Sequence, residues 1–209
     1  MNKQNIFKFK FKNNDSYSNF YVNNTNKEAY NGIIGNNFKK TFLCGPKKSG
    51  KSFLCKIWSQ KYNALEYKNN FRQLIKLQNN IFIDNLNHHI NEEEIFHIIN
   101  HTSLNNLNIL ITSDTKIIDM KLSLNDLNSR LKAFDFFNIN QPDDDMLLNI
   151  LTKLFIEKQF IINSNDIFQY IIKNTDRSYE NIYNVVSKLD SLSLQKKRQL
   201  TIPLIKEIL

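Results

Sequence analysis

The chain has 209 residues and a mass of 24.8 kDa, enough for one α/β domain with a small appendage. Apolar residues make up 41% and aromatic residues 12%, too rich for a disordered chain, and no apolar run reaches the ~18 residues of a membrane span. The net charge of +8 is uneven, with +9 on residues 1–60 and −1 on residues 61–209, so the basic front end could meet phosphate, nucleic acid or an acidic partner, or serve as solubilising surface.

Residues 1–15 read as a flexible lead-in. Met1 to Lys12 alternates Lys with Phe and lacks the apolar stretch of a secretory signal. Cys44 and Cys55 are the only cysteines and sit in no CxxC spacing, so no disulfide framework is expected and a reducing cytoplasm is the default location. Residues 41–44 form a short apolar run ending at Gly45, and residues 51–62 an amphipathic stretch. Residues 64–67 read as a short strand and residues 71–78 as a short helix. Residues 81–84 are an apolar run of the kind found in buried parallel strands. Asn91 and Glu94 have capping-box spacing and open a helix to about His101. Residues 109–112 are the next buried strand, 124–132 a helix and 134–139 a last strand. Strands alternating with helices predict a parallel sheet with right-handed crossovers. Beyond Gln141-Pro142 the pattern changes: residues 143–160, 165–174, 178–194 and 203–209 all carry apolar residues at helical spacing. The expected organisation is an α/β body over residues 16–140 and a small all-helical domain over residues 141–209.

The strongest chemical signal is Gly45-Pro46-Lys47-Lys48-Ser49-Gly50-Lys51-Ser52, which fits G-x-x-x-x-G-K-[ST] between a strand and a helix. The composition sharpens it. With 33 Asn, 27 Ile and 24 Lys against 4 Gly and 4 Arg, the chain carries an A/T-rich coding bias, so each Gly or Arg points to a physical need. Backbone N–H groups of this loop and the following helix N-terminus would surround a β-phosphate. Lys51 would reach the β- and γ-phosphates and the Ser52 hydroxyl a Mg²⁺ ion. Asp84, ending an apolar strand, takes the second Mg²⁺ position. The next residue is Asn85, whose amide can hold water but cannot accept its proton, so binding of ADP or ATP with weak hydrolysis is expected. Asp114, after Thr112 and Ser113, is placed to sense the γ-phosphate, although such a triplet is also an ordinary strand exit. Arg130 and Arg177 fall near expected phosphate positions, where a guanidinium fork binds as Lys cannot; exposed ion pairs are the alternative for both. His88, His89, His97, His101 and the run Glu92–Glu94 contain no HExxH and read as a solvated helix face.

Several stretches carry a resemblance. Tyr17-Ser18-Asn19-Phe20-Tyr21-Val22 with Asn26-Lys27-Glu28-Ala29-Tyr30 resembles the segment that packs on the adenine in the bacterial initiator DnaA. Residues 43–58, 81–85 and 109–114 are similar to the AAA+ body of that family. Asp126-Leu127-Asn128-Ser129-Arg130-Leu131, Gln141-Pro142-Asp143-Asp144 and residues 199–209 resemble its Hda branch of DnaA regulatory inactivators, in particular the alphaproteobacterial HdaA type. The resemblance spans residues 17–209 and implies a P-loop AAA+ parallel-sheet body followed by a small all-helical lid. It also implies an adaptor that, loaded on the DNA polymerase sliding clamp, makes DnaA hydrolyse its ATP.

Carried over by position, the nucleotide-binding set is Phe20, Tyr21, Gly45, Pro46, Lys48, Ser49, Gly50, Lys51, Ser52, Phe53, Asp114 and Arg177, with Ser52 and Asp84 on the metal. In a second register Glu180 replaces Arg177 as the sensor of the γ-phosphate. Arg130 matches the arginine finger acting in trans. Gln4, Ile6, Phe7 and Phe9 match the clamp-binding peptide, with Asn5 in place of its usual Leu. The chain stops at Leu209, leaving no helix-turn-helix module, so sequence-specific DNA binding is not expected; Lys196-Lys197-Arg198 is too short a patch to supply it. A homo-oligomer is a further candidate assembly. The competing readings are an AAA+ helicase loader, which would need a partner-binding extension, and a small P-loop kinase, which would need more arginine around the phosphates.

Overall fold

The computed structural model describes residues 20–35, 39–87, 91–161 and 166–209. Five strands, β1 (Lys40–Cys44), β2 (Ala64–Glu66), β3 (Asn80–Ile83), β4 (Ile109–Ser113) and β5 (Asp135–Asn138), form one sheet in the order β2-β3-β4-β1-β5. All its pairings are parallel; Phe42 of β1 lies opposite Ile111 of β4 and Phe136 of β5. Helices α1 (Lys27–Tyr30), α2 (Lys51–Tyr62), α3 (Phe71–Leu74), α4 (Glu92–Leu104) and α5 (Asn125–Lys132) cover it, with one five-residue π-turn, Asn31–Gly35, after α1.

The central strands are apolar throughout because both sheet faces are covered. Phe42, Ile83 and Ile111 face one core with Ile95, Ile98, Ile99, Leu127 and Leu131 from α4 and α5. Their neighbours Leu43, Phe82 and Leu110 face the other core, with Ala29 of α1 and Leu54 and Trp58 of α2. This is the period of two that a strand imposes. Helix α4 starts where its cap predicts: the Asn91 side chain accepts N–H bonds from Glu93 (3.1 Å) and Glu94 (3.3 Å).

The C-terminal part is helical: α6 (Asp144–Glu157), α7 (Asp166–Asn174), α8 (Tyr179–Lys196) and α9 (Ile202–Ile205). Asp143 caps α6, its carboxylate accepting the Met146 N–H at 2.8 Å, and Ser178 caps α8 through the Asn181 N–H at 3.2 Å. Leu147, Leu151, Phe155, Ile171, Ile182 and Leu189 form a third core of these helices. Met146 and Tyr179 instead join the core between α2 and the sheet, tying the helices to the body. Helix α3 and helix α9 are shorter than their apolar patterns predict, each ending after one turn. Among the described residues no helix is long and apolar enough to cross a membrane.

Candidate functional site

The glycine-rich loop leaves β1 beside the end of β4, where Gly45 N–H donates to the Ser113 carbonyl at 3.2 Å. Gly45 has no room for a side chain: a Cβ there would lie 2.9 Å from Ile139 Cβ and 3.1 Å from Ser49 Oγ. Gly50, the residue before α2, has φ +96°, a left-handed conformation that favours glycine. A Cβ on Gly50 would also meet the Phe20 ring at 2.8 Å. Two of the chain's four glycines are therefore explained by the loop. Lys51 opens α2, and although its side chain is buried, its ammonium donates to the carbonyls of Gly45 (2.7 Å) and Pro46 (2.8 Å). Burial pushes its pKa down, with the Asp114 charge opposing. The Ser49 hydroxyl is buried with no hydrogen-bond partner among the described residues, and Ser52 is exposed on the first turn of α2.

Asp84 sits at the turn after β3, pinned to β4 by Thr112. The Thr112 hydroxyl donates to Asp84 Oδ1 at 2.7 Å and accepts the Asn85 N–H at 2.8 Å. The Thr112 carbonyl takes the Leu86 N–H at 2.6 Å, and the Ser113 hydroxyl donates to the Leu86 carbonyl at 2.9 Å. Asn85 has φ 63°, which asparagine tolerates. The Cys55 thiol from α2 also points at Asp84, at 4.0 Å; burial pushes that thiol well up, so it stays protonated. Of the triplet expected to sense phosphate, Thr112 and Ser113 are buried supports of this turn, and Asp114 is the exposed member.

These parts line a cleft of about 530 Å³ between the loop and the helical part. Lys47 to Ser52, Asp84, Asn85 and Asp114 form one side, and Glu180 and Tyr183 of α8 the other. Lys48 spans it, its ammonium 5.9 Å from the centre of the Tyr183 ring. Phe20 stacks on Tyr30 and Phe53 at 5.7 and 5.8 Å, against the end of the loop. Tyr21 turns away to α6, where its hydroxyl donates to Asp145 at 2.6 Å; that bond raises its pKa. Asn23 makes a parallel tie to Asp143 at 2.8 Å. A hard cation would suit the oxygen donors Ser52 and Asp84, and the loop N–H groups, Lys51 and the unpartnered Ser49 hydroxyl would suit a phosphate chain.

The two arginines singled out by the sequence lie elsewhere. Arg177, just before α8, is absent from the cleft lining and is held by Asp144 of α6 at 3.2 Å; Glu180 takes the place facing the phosphate loop. Arg130, in the last turn of α5, is exposed and also outside the cleft. Its guanidinium carbon lies 5.6 Å from the centre of the Phe96 ring. It borders a separate hollow of about 410 Å³ lined by Lys40, Phe96, Asp126, Ser129 and Ala133. The acids of the α4 first turn are structural: Glu92 accepts the Ser123 and Leu124 N–H groups at 3.0 and 2.7 Å, and Glu94 accepts the Tyr67 hydroxyl at 2.5 Å. His97 packs between Phe71 and Phe96. Gln4, Ile6, Phe7 and Phe9, with Tyr17 to Asn19, His88 and His89, lie outside the described residues.

Residues 144–209 match the family of Hda lid domains. An uncharacterized protein of Haemophilus influenzae is 25% identical over 186 residues, 80% of each chain. Domain III of the Thermotoga maritima replication initiation protein DnaA superposes with a TM-score of 0.76 at 16% identity, over 93% of this chain and 95% of that one. AMPPCP-bound DnaA from Aquifex aeolicus gives 0.66 at 18% identity, over 84% of this chain; the match spans 64% of the Aquifex chain. The Thermotoga maritima RuvB Holliday junction branch migration motor gives 0.68 at 15% identity, over 93% and 70%. At these identities the structures establish the fold, a parallel AAA+ sheet with a helical lid. The likeness to the Hda family thus rests on the helical lid over residues 144–209, and the body in front of it has the fold of the DnaA AAA+ domain.

Proposed function

We propose that the chain is a regulatory adaptor of the Hda kind. It binds ADP or ATP with Mg²⁺ in the loop cleft and, together with the DNA polymerase sliding clamp, promotes hydrolysis of DnaA-bound ATP, which limits replication initiation. The observation that carries this reading is Arg130: an exposed arginine on the rim of the body, outside its own nucleotide cleft. An arginine so placed does not line its own cleft and is open to a nucleotide held by another molecule.

The chain's own cleft suits binding better than turnover. Lys51 and the loop amides hold phosphate oxygens, Ser52 and Asp84 hold the cation, and Thr112 keeps the Asp84 carboxylate oriented. A Mg²⁺ ion held by Ser52 and Asp84 would offset phosphate charge. Beside Asp84 stands Asn85, an amide with no basic site for a proton. Phe20, stacked at the loop end with Tyr30 and Phe53, offers an aromatic face to the base. In trans, the Arg130 guanidinium stabilises the charge that builds on the transferring phosphoryl group, a contribution of about 10³–10⁵ in rate for arginine fingers. Gln4, Ile6, Phe7 and Phe9 supply the extended peptide for a groove on the clamp.

The test is single-turnover hydrolysis of DnaA-bound ATP with and without this protein, clamp and DNA. Stimulation should need both this protein and the clamp, and deleting residues 1–12 should remove clamp binding, and with it the stimulation, while leaving nucleotide binding intact. Wild-type protein that leaves DnaA–ATP hydrolysis unchanged would overturn the reading.

A further inference from the structure

We propose that Phe96 is the positioning residue of Arg130, holding the guanidinium at the rim of the body with its N–H donors free for a phosphate on a neighbouring molecule. The inference rests on the adaptor reading above and adds to it how the finger is set in place. Nothing in the sequence motif around Arg130 contains Phe96, which comes from a different helix.

Helix α4 grips α5 at two points. Glu92 and Phe96 are four residues apart, so they share one face of α4. Glu92 meets the start of α5, where both carboxylate oxygens accept backbone N–H groups, from Ser123 at 3.0 Å and Leu124 at 2.7 Å. This matters because the residue at the cap position of α5 is Leu124, which has no acceptor of its own, and a carboxylate there also meets the positive end of the helix. One turn along α4, Phe96 lies under the last turn of α5, with Arg130 Cζ 5.6 Å from its ring centre. Phe96 is itself anchored. It packs on the buried core of α4, α5 and the sheet, and its ring stands edge-on to His97 at 5.7 Å.

The choice of an aromatic partner follows from what the finger must do. Asp126 is four residues before Arg130 on α5 and borders the same hollow, yet among the described residues Arg130 makes no ion pair. A carboxylate would take up part of the N–H fork and cancel the charge. The Phe96 ring attracts the cation through its quadrupole and leaves the planar fork of five donors to an incoming phosphate. A preset direction also lowers the entropy lost when a long side chain is fixed in the reacting complex.

Phe96→Leu keeps apolar volume and removes the ring face; Phe96→Trp keeps the face. The Arg130 Nε–H proton is followed by NMR, because a ring beneath the guanidinium shifts it upfield, and Arg130→Lys assigns the resonance. Phe96→Leu should return that resonance to its ordinary position and slow single-turnover hydrolysis of DnaA-bound ATP by about three- to tenfold at saturating protein. Its own nucleotide affinity and unfolding midpoint should stay close to wild type. Phe96→Trp should restore both the shift and the rate. If Phe96→Leu stimulates fully while Arg130→Ala does not, or if Phe96→Trp is no better than Phe96→Leu, the positioning role is overturned. Should Phe96→Leu lose stability, Phe96→Met takes its place, being flexible enough to fill the gap. If wild type gives no stimulation, the adaptor reading falls separately, and an Nε–H resonance unmoved by Phe96→Leu overturns the contact by itself.

Discussion

Arg130 and Arg177 are two of four arginines in a lysine-rich chain, both exposed and both expected near phosphate, and the structure treats them in opposite ways. Arg177 is paired. Its guanidinium lies 3.2 Å from the carboxylate of Asp144, so it joins the starts of α6 and α8 within the helical part. Arg130 rests on an aromatic ring and makes no ion pair among the described residues. The same side chain is ion-paired in one place and rests on a ring in the other, which leaves its donors open. The cleft follows the same contrast: with Arg177 turned aside, the residue of α8 that faces the phosphate loop is Glu180, a negative charge where a positive one would grip the γ-phosphate.

The sharpest way to break this comparison is at Arg130. Arg130→Ala should abolish most stimulation of DnaA–ATP hydrolysis, up to the ~10³ or more that an arginine finger contributes, with folding and nucleotide binding nearly unchanged because the residue is exposed. Arg130→Lys should fail almost as badly, since a point charge does not reproduce the fork. A single-turnover assay beside a thermal melt separates the two effects; full stimulation by the Ala variant would make Arg130 ordinary surface. Thr112→Val moves the other way, into the buried support of the cleft. It leaves the Asp84 carboxylate and the Asn85 N–H without their hydroxyl partner, a loss of about 1–3 kcal/mol. The unfolding midpoint should drop by about 3–10 °C, and Mg²⁺ should add less to nucleotide affinity than in wild type. An unchanged Mg²⁺ increment would mean that Thr112 supports the fold alone. Glu180→Gln removes the negative charge opposite the loop and should tighten ATP binding by about three- to tenfold at low salt, with the gain shrinking as ionic strength rises. Titration calorimetry at two salt concentrations reads this directly, and equal affinities at both would remove Glu180 from the phosphate field.

Much of the body was legible in the sequence because its signals are local. The strand-to-glycine-to-helix pattern places α2 over residues 51–62 as observed, and Asn91 caps α4 as its spacing predicts. The scarcity of glycine correctly marked Gly45 and Gly50 as positions with a steric need. What stayed hidden depends on contacts between elements. Thr112 reads as part of a phosphate-sensing triplet, but it is buried and holds the turn of Asp84 from a neighbouring strand. The acids Glu92 and Glu94 read as a solvated face, whereas one caps α5 and the other holds Tyr67. Phe96 looks like an ordinary apolar residue of an amphipathic helix. Which of Arg177 and Glu180 faces the cleft depends on where α8 begins and how it is rotated, since they are three positions apart and the first precedes the helix.

The smallest effect is expected at Arg177, and it is the one that sharpens the comparison most. Arg177 and Asp144 are both well exposed, with 62% and 61% of their side chains open to solvent. An ion pair of that kind contributes about 0–1 kcal/mol because water and salt screen it and two long side chains must be held still. Arg177 also sits beside the N-terminus of α8, where a cation is disfavoured by the helix dipole, so part of even that small gain is offset. Arg177→Ala should therefore change ADP and ATP affinity by less than about twofold and leave stimulation of DnaA–ATP hydrolysis intact, in contrast to Arg130→Ala measured in the same assay. The variant that adds information is the charge swap Arg177→Glu with Asp144→Arg, which rebuilds the pair in reverse. If Arg177 only ties α6 to α8, the swap restores the wild-type melt and binding. If nucleotide instead draws Arg177 off Asp144 and into the cleft, the single Ala variant loses ATP affinity by tenfold or more on the scale of a charge-assisted phosphate contact, the swap makes the loss worse, and the separation of roles drawn between the two arginines fails.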